Sequence, residues 1–150
     1  MYRIATLSLA LLVTASLGFA PAPVYRPRQG SPEDELKDLQ GKWILVSRMC
    51  GGKEITNHVA YAVQISGNRW VLSSKDGKFR NSRTFSLDVK QSPKHINMRI
   101  DGREYSECNI YELKGDKLEY AYTSNKGLRP LDFRGDSPKW SVDVYRREKP

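Results

Sequence analysis

Alternating apolar and polar residues dominate the chain from residue 42 onward. Eight such runs, bounded by turn residues, cover 42–49, 61–66, 69–74, 79–88, 95–100, 103–114, 117–123 and 139–148. Gly67-Asn68, Asp101-Gly102 and Gly115-Asp116 each separate two runs by two residues, which is the length and composition of a tight hairpin turn. Eight consecutive strands joined mostly by hairpins predict an all-β fold, an up-and-down antiparallel eight-stranded barrel.

Three of the runs show the alternation most clearly, with large apolar side chains at every second position. These sets are Ile96, Met98 and Ile100; Leu118, Tyr120 and Tyr122; and Trp140, Val142 and Val144. Because side chains alternate between the two faces of a strand, we expect each set to face the core and its polar neighbours to face water. Closure into a barrel would also leave no exposed sheet edge.

A short helix is predicted before the first strand. Ser31 is a suitable N-cap, Pro32 suits the first helical position, and acidic residues occupy the first turn. Leu36 and Leu39 are spaced to lie on one face of this helix, which we expect to end near Gln40.

The first 30 residues have the composition of an export signal followed by a spacer. Residues 1–20 begin with a positive charge and continue as an uncharged run rich in Leu and Ala, about 16 residues long, which is short for a membrane span of roughly 20. Residues 21–30 are Pro-rich and predict a disordered linker, leaving one domain over 31–150. We therefore expect a secreted or periplasmic protein with no stable membrane insertion after signal removal.

The charge balance is strongly basic, with 25 Lys and Arg against 17 Asp and Glu and a net charge of +8. Such a surface attracts anionic polymers or acidic partner proteins by long-range steering. Arginines interleaved with tyrosines are also typical of single-strand nucleic-acid surfaces, but export argues against a nucleic-acid partner.

Six aromatic residues are candidates for lining a ligand pocket inside the barrel. They are Trp70, Tyr105, Tyr111, Tyr120, Tyr122 and Trp140. An eight-stranded barrel is wide enough to hold one small ligand or to be filled by its own side chains. Both outcomes remain open from the sequence.

Residues with reactive or metal-binding side chains are few. Cys50 and Cys108 are the only cysteines, and they predict either a disulfide, favoured by an oxidising compartment, or plain core packing. His58 and His95 are isolated, without partners at metal-ligand spacing. No nucleophile elbow, phosphate-binding loop or zinc-protease motif occurs, so we expect no metal, no cofactor and no enzymatic activity.

The stretch Gly41-Lys42-Trp43 on the first strand, with a basic residue on the last strand, resembles the lipocalin arrangement. That resemblance implies a structural lock in which Arg146 or Arg147 packs across Trp43, beside Gly41. The chain resembles more closely a small exported domain family of unknown function from planctomycete bacteria. The matching segments are 39–43, 51–55, 110–118 and 129–133, and the likeness covers about residues 35–147.

The family resemblance implies the fold and no activity. We therefore expect an exported, non-enzymatic binding module whose lipocalin-like barrel takes a small apolar or amphipathic ligand. The alternative is a filled barrel that acts through its basic surface on an anionic polymer or a partner protein. Lipocalins are usually longer and have deeper cups, which makes a shallow or filled barrel a real option for this shorter domain.

Overall fold

The computed structural model of the chain describes residues 30–57, 60–100, 102, 106–123 and 125–149. The predicted signal peptide, residues 21–29 of the predicted linker and the candidate pocket residue Tyr105 lie outside the described residues. Within the described ranges, no helix has the length and apolar character needed to cross a membrane.

In the described residues, one helix precedes nine strands. The helix α1 spans Pro32–Leu39. The strands are β1 (Gly41–Cys50), β2 (Lys53–Glu54), β3 (Ala62–Ser66), β4 (Arg69–Ser73), β5 (Arg80–Asp88), β6 (Lys94–Ile100), β7 (Ser106–Lys114), β8 (Lys117–Tyr122) and β9 (Ser141–Arg147).

The strands confirm the predicted eight-stranded up-and-down barrel. All neighbours pair antiparallel in chain order from β3 to β9, and β1 closes the barrel by pairing with both β3 and β9. The two-residue β2 lies outside this count because it pairs only with the end of β1. We call the end of the barrel next to α1, where β1 begins at Gly41, the closed end. The opposite end, where β1 ends at Cys50, is called the open end.

The helix α1 covers the closed end. Its Ser31 cap accepts a hydrogen bond from the Asp34 backbone N–H at 3.2 Å, as the sequence pattern predicts, and Leu36 and Leu39 pack on the barrel core. Gln40 fixes the helix end to the β3–β4 turn through its side chain. The side-chain nitrogen Nε2 donates to the Gly67 carbonyl, and the side-chain oxygen Oε1 accepts from the Gly67 N–H.

Trp43 and Arg147 form a lock beside this helix. The Arg147 guanidinium carbon lies 4.2 Å from the centroid of the Trp43 ring, a cation–π contact. Its two terminal nitrogens donate to the carbonyls of Gln40 and Asp38, at 2.5 and 2.6 Å, at the end of α1. The Trp43 indole nitrogen donates to the Leu39 carbonyl at 2.9 Å. The lock therefore joins the first strand, the last strand and the helix.

Arg146, the other candidate for this lock, is exposed and pairs across the sheet with Ile44 and Lys117. Gly41 has a φ of +117°, and a Cβ atom there would lie 3.4 Å from a terminal nitrogen of Arg147. Glycine at this position thus allows both the backbone conformation and the close approach of the arginine.

A β-bulge interrupts β1. Leu45 pairs with Tyr145 of β9, but Ser47 pairs with the very next residue of β9, Val144, so Val46 is an extra residue and is 54% exposed. The bulge inverts the alternation after it. As a result Arg48 points into the barrel, where an unbroken strand would have placed Ser47.

The closed half of the barrel is filled by side chains. Its core packs Trp43 and Trp70 against Tyr111, Tyr145 and Phe85, with aliphatic residues from the other strands between them. The Trp70 ring contacts Tyr145 edge-on, with centroids 6.3 Å apart. Side chains therefore occupy the interior of this half, and its buried core residues are at most 7% exposed.

A second, smaller core lies on the outside of the barrel wall. Ile110, Ala121 and Val142 are buried on the outer face of β7, β8 and β9, where Phe133 and Trp140 pack against them. The predicted inward orientation of Trp140, Val142 and Val144 is therefore wrong: the inward residues of β9 are the intervening ones. Residues 125–140, here called the outer segment, cover this outer face of the wall. Because the face is shielded from water, its residues are apolar.

Candidate functional site

The open half of the barrel contains two adjoining cavities of about 310 and 320 Å³. Arg83 and Tyr122 line both cavities and mark where they meet. We call the combined space the cup. Its lining includes Arg48, Phe79, Arg83, Glu107, Tyr122 and Asp143.

Arg48 and Asp143 form a bidentate ion pair in the wall of the cup. Nε and Nη2 of Arg48 donate to the two carboxylate oxygens at 2.6 Å each. The arginine side chain is 15% exposed and that of Asp143 only 1%, and the Tyr145 hydroxyl donates a further hydrogen bond to Asp143 at 2.8 Å. Burial by itself would lower the pKa of Arg48, but the hydrogen bonds and charge of Asp143 outweigh burial and raise it.

Arg83 and Glu107 form a second pair that spans the inside of β6 from β5 to β7. Nη1 of Arg83 donates to Glu107 at 2.6 Å, and its Nε donates to Asn81 at 3.2 Å. The two side chains are 17% and 11% exposed. The cup thus contains two guanidinium groups, and each already has a carboxylate partner.

Two stacked tyrosines form an aromatic wall between these ion pairs. The rings of Tyr120 and Tyr122 are 5.3 Å apart and nearly parallel, and Arg48 lies 5.6 Å from the Tyr122 centroid. Burial, with the charge of Asp143 adding to it, raises the pKa of Tyr122 to about 12. Both phenols are therefore neutral at physiological pH and offer ring faces and hydroxyl groups.

The floor of the cup is a short buried chain of polar groups. Asn109 donates from its amide nitrogen to the Tyr120 hydroxyl at 2.8 Å, and that hydroxyl donates to the Met98 sulfur at 3.3 Å. Asn109 is fully buried, and its side-chain oxygen has no partner among the described residues. Below this chain the interior is the packed core.

The structure distributes the aromatic candidates over three environments. Trp70 and Tyr111 belong to the closed-half core, and Tyr120 joins that core to the cup. Tyr122 lines both cavities. Trp140 packs on the outer core and also lines the smaller cavity. Of the five described candidates, Tyr120, Tyr122 and Trp140 therefore line the cup, and Trp70 and Tyr111 fill the closed half.

The sequence left two alternatives open for Cys50 and Cys108, a disulfide or core packing, and both residues are free thiols in the structure. Cys50 faces the cup and lines its smaller cavity together with Glu107. Cys108 lies between the inward-facing Glu107 and Asn109, so its side chain points to the other side of the wall. Two thiols on opposite faces of a sheet cannot be bridged without moving the backbone.

Sequence reasoning missed the two ion pairs. Nothing in the sequence distinguishes Arg83 from the other basic residues. The alternation of β1 hides Arg48, because the bulge is not visible in the sequence. Asp143 and Glu107 were detectable in principle, as charged residues at alternate positions within apolar strands. Among the described residues, no group of three or more His, Cys, Asp or Glu side chains could hold a metal ion.

Comparison with known proteins gives no further assignment. No family model, no curated protein and no solved structure matches this chain.

Proposed function

We propose that this protein is an exported, non-enzymatic binding module of the lipocalin-like family that its sequence resembles, and that its cup holds a small amphipathic ligand. The observation that carries the proposal is the pair of adjoining cavities, of about 310 and 320 Å³, that meet at Arg83 and Tyr122 in the open half of the barrel. Cavities of this size suit one small molecule.

The walls of the cup favour a ligand with both apolar and polar parts. Leu72 and Phe79 face the larger cavity opposite the ring of Tyr122, which gives an apolar slot. Arg48 and Arg83 border the same slot with their guanidinium groups. An apolar body would lie between the side chains of the slot, and a polar group would contact the guanidiniums.

The charged groups of the cup are arranged for holding a ligand. Asp143 accepts three hydrogen bonds, from two nitrogens of Arg48 and from the Tyr145 hydroxyl. Glu107 is bound by Arg83. Both carboxylates are thus held in place by arginine side chains, which supports a fixed binding surface in the cup.

Native mass spectrometry of the mature protein, purified gently from its own host, tests this proposal. We expect an additional mass of a few hundred daltons that is lost on denaturation. Leu72→Trp places a large ring inside the larger cavity and should abolish the additional mass. Val71→Trp changes the neighbouring residue on the outer face of β4, and it should leave the bound mass unchanged.

The two variants decide where the ligand lies. An additional mass that survives Leu72→Trp would place the ligand outside the cup and overturn the proposal. A bare protein that also fails to take up added amphipathic compounds would overturn it as well.

A second candidate function uses the basic surface, and the filled closed half favours it because no ligand can enter there. In that case the protein would retain an anionic polymer or an acidic partner at low ionic strength and release it at high ionic strength. Leu72→Trp would not change that association, which distinguishes the two functions.

A further inference from the structure

We infer that the ligand of the cup is an anionic amphipath, with one carboxylate or similar oxyanion on a small planar or aliphatic body. This inference rests on the proposed function and adds the sign of the ligand charge. Three observations carry it: unused donors on both guanidinium groups, carboxylates already occupied by those same arginines, and a ring of cationic residues around the open end.

Each guanidinium of the cup has a nitrogen available for a ligand. Arg48 uses Nε and Nη2 for Asp143, and no described residue accepts a hydrogen bond from its Nη1. Arg83 uses Nε and Nη1, and no described residue accepts from its Nη2. Arginine has five N–H donors and no acceptor, so these free positions can only be satisfied by an oxygen or another acceptor.

The Asp143 carboxylate does not compete for these donors. Both oxygens of Asp143 are engaged, and its side chain is only 1% exposed. A ligand therefore meets the donor edge of Arg48 and not the acceptor surface of Asp143. An oxyanion bound there would accept from Nη1 of Arg48, while Nε and Nη2 of the same guanidinium stay bound to Asp143.

Cationic side chains surround the opening. Phe79, which lines the larger cavity, belongs to the β4–β5 turn together with Lys75 and Lys78, and Arg80 begins β5 beside it. Lys139 borders the smaller cavity. With Lys53, five cations lie at this rim, against the three acids Glu54, Asp76 and Asp136 among the described residues, and Lys78 pairs with Asp76 at 3.7 Å.

The closed end has no such excess. Lys42 is paired with Glu148 at 2.9 Å, and Lys117 with Glu119 at 2.9 Å. The acidic first turn of α1 lies at that end as well. The field at the opening therefore attracts anions and repels cations, and it acts before the ligand reaches the two buried guanidiniums.

A series of four naphthalene compounds with one body and different head groups tests the inference. We would measure the affinity of the full mature protein for 2-naphthoate, 2-naphthamide, 2-naphthylmethanol and 2-naphthylmethylammonium by titration calorimetry. We expect the carboxylate to bind about tenfold tighter than the amide or the alcohol, since a charge-assisted hydrogen bond is roughly twice as strong as a neutral one. The ammonium compound should bind weakest.

Two sets of variants locate the preference. Arg83→Gln/Glu107→Gln removes both charges of one pair while keeping amide groups that can hydrogen-bond, and it should reduce the carboxylate preference several-fold. Lys75→Gln/Lys78→Gln/Arg80→Gln at the rim should weaken naphthoate binding and reduce its salt dependence. Lys42→Gln/Lys117→Gln/Arg146→Gln removes the same charge at the closed end and should leave naphthoate binding within about twofold of wild type, because charges far from the opening are screened.

The outcomes separate this inference from the proposed function. Equal affinity for the carboxylate and the neutral compounds, or tighter binding of the ammonium compound, would overturn the anionic ligand while binding in the cup stands. If none of the four compounds binds, and Leu72→Trp changes nothing in any ligand assay, both fail. Equal effects of the rim and closed-end variants would also count against the inference.

Discussion

Arg48 and Asp143 are bound to each other through two hydrogen bonds of 2.6 Å across 95 residues of sequence, on the two strands that close the barrel. The pair exists because the bulge at Val46 turns Arg48 inward. It holds the β1–β9 seam and at the same time supplies one of the two guanidinium groups of the cup.

Replacing one residue of this pair should lower the free energy of unfolding more than replacing both residues. Arg48→Met leaves the nearly inaccessible Asp143 carboxylate without its counterion, and we expect the free energy of unfolding to fall by about 3–5 kcal/mol. The double variant Arg48→Met/Asp143→Leu should recover at least about half of that loss. Urea denaturation of the wild type, both single variants and the double variant measures the coupling. Additive effects of the two single changes would show that the pair is energetically unimportant.

The Trp43 lock predicts a large difference between two adjacent arginines. Arg147→Met removes the contact with the Trp43 ring and the donors to the end of α1, so the free energy of unfolding should fall by about 2 kcal/mol. Arg146→Met changes an exposed residue of the same type and should alter it by less than about 0.5 kcal/mol. Chemical denaturation of the two variants in parallel tests this, and equal losses would contradict the lock.

Gly135 should tolerate no side chain, because its environment adds a steric conflict to its backbone conformation. Its φ is +70°, and a Cβ atom there would lie 2.5 Å from the Cβ of Met49. Gly127 has a similar φ of +74° with nothing within 4 Å, which makes it the matched control. We expect Gly127→Ala to cost about 1 kcal/mol and Gly135→Ala roughly 2–4 kcal/mol. Thermal denaturation should rank the two, and equal effects would exclude a close contact at Met49.

The buried phenols predict a loss of stability in alkali. Burial raises the pKa of Tyr122 to about 12, and it also raises the pKa of Tyr111, Tyr120 and Tyr145. Each phenol has a higher pKa in the folded protein than in the unfolded chain, where the pKa is about 10. Below pH 10 its full contribution to the free energy of unfolding is present. That contribution is lost as the pH rises through the pKa of the folded protein. Tyrosinate absorbance should therefore show these four tyrosines ionising late, together with unfolding. Denatured protein, where the tyrosines ionise near pH 10, is the control.

The two cysteines should remain reduced even in an oxidising medium. They lie on opposite faces of the wall, and Cys50 alone borders the cup. We expect the intact mass to include both thiol protons, and added reductant to leave the thermal midpoint unchanged. Cys50 should react with iodoacetamide in the native protein, and a bound ligand should slow that reaction. A mass two daltons lower with an unreactive Cys50 would contradict this orientation.

Local turn chemistry made the barrel predictable. The hairpins at 67–68 and 115–116 lie where glycine next to Asn or Asp indicated them, and both glycines have positive φ. The helix was also predictable, since its cap, its proline and its two leucines all lie within residues 31–39. Each of these signals depends on neighbours in sequence.

The site was harder to predict because its residues depend on distant contacts. Alternation gives the period of a strand but not which face is inside. On β9 the apolar face, with Val142, turned outward because Phe133 covers it from a segment with no regular pattern of its own. On β1 the extra residue Val46 exchanges the inward and outward positions that follow it. This bulge is needed only for the pairing of β1 with β9, which the sequence of β1 alone does not show.

The outer segment makes the barrel wall unequal in thickness. Strands β7, β8 and β9 are covered on both faces, and Arg129 fixes the segment to them by donating to the Asn109 carbonyl at 2.5 Å. The β4–β5 side, which carries Leu72 and the 39% exposed Phe79, has no such cover from this segment. Amide protons should therefore exchange slowest in β7 to β9 and fastest in the β4–β5 hairpin. We expect the β4–β5 side of the open end to adjust when a ligand enters, while the double-layered side holds its shape.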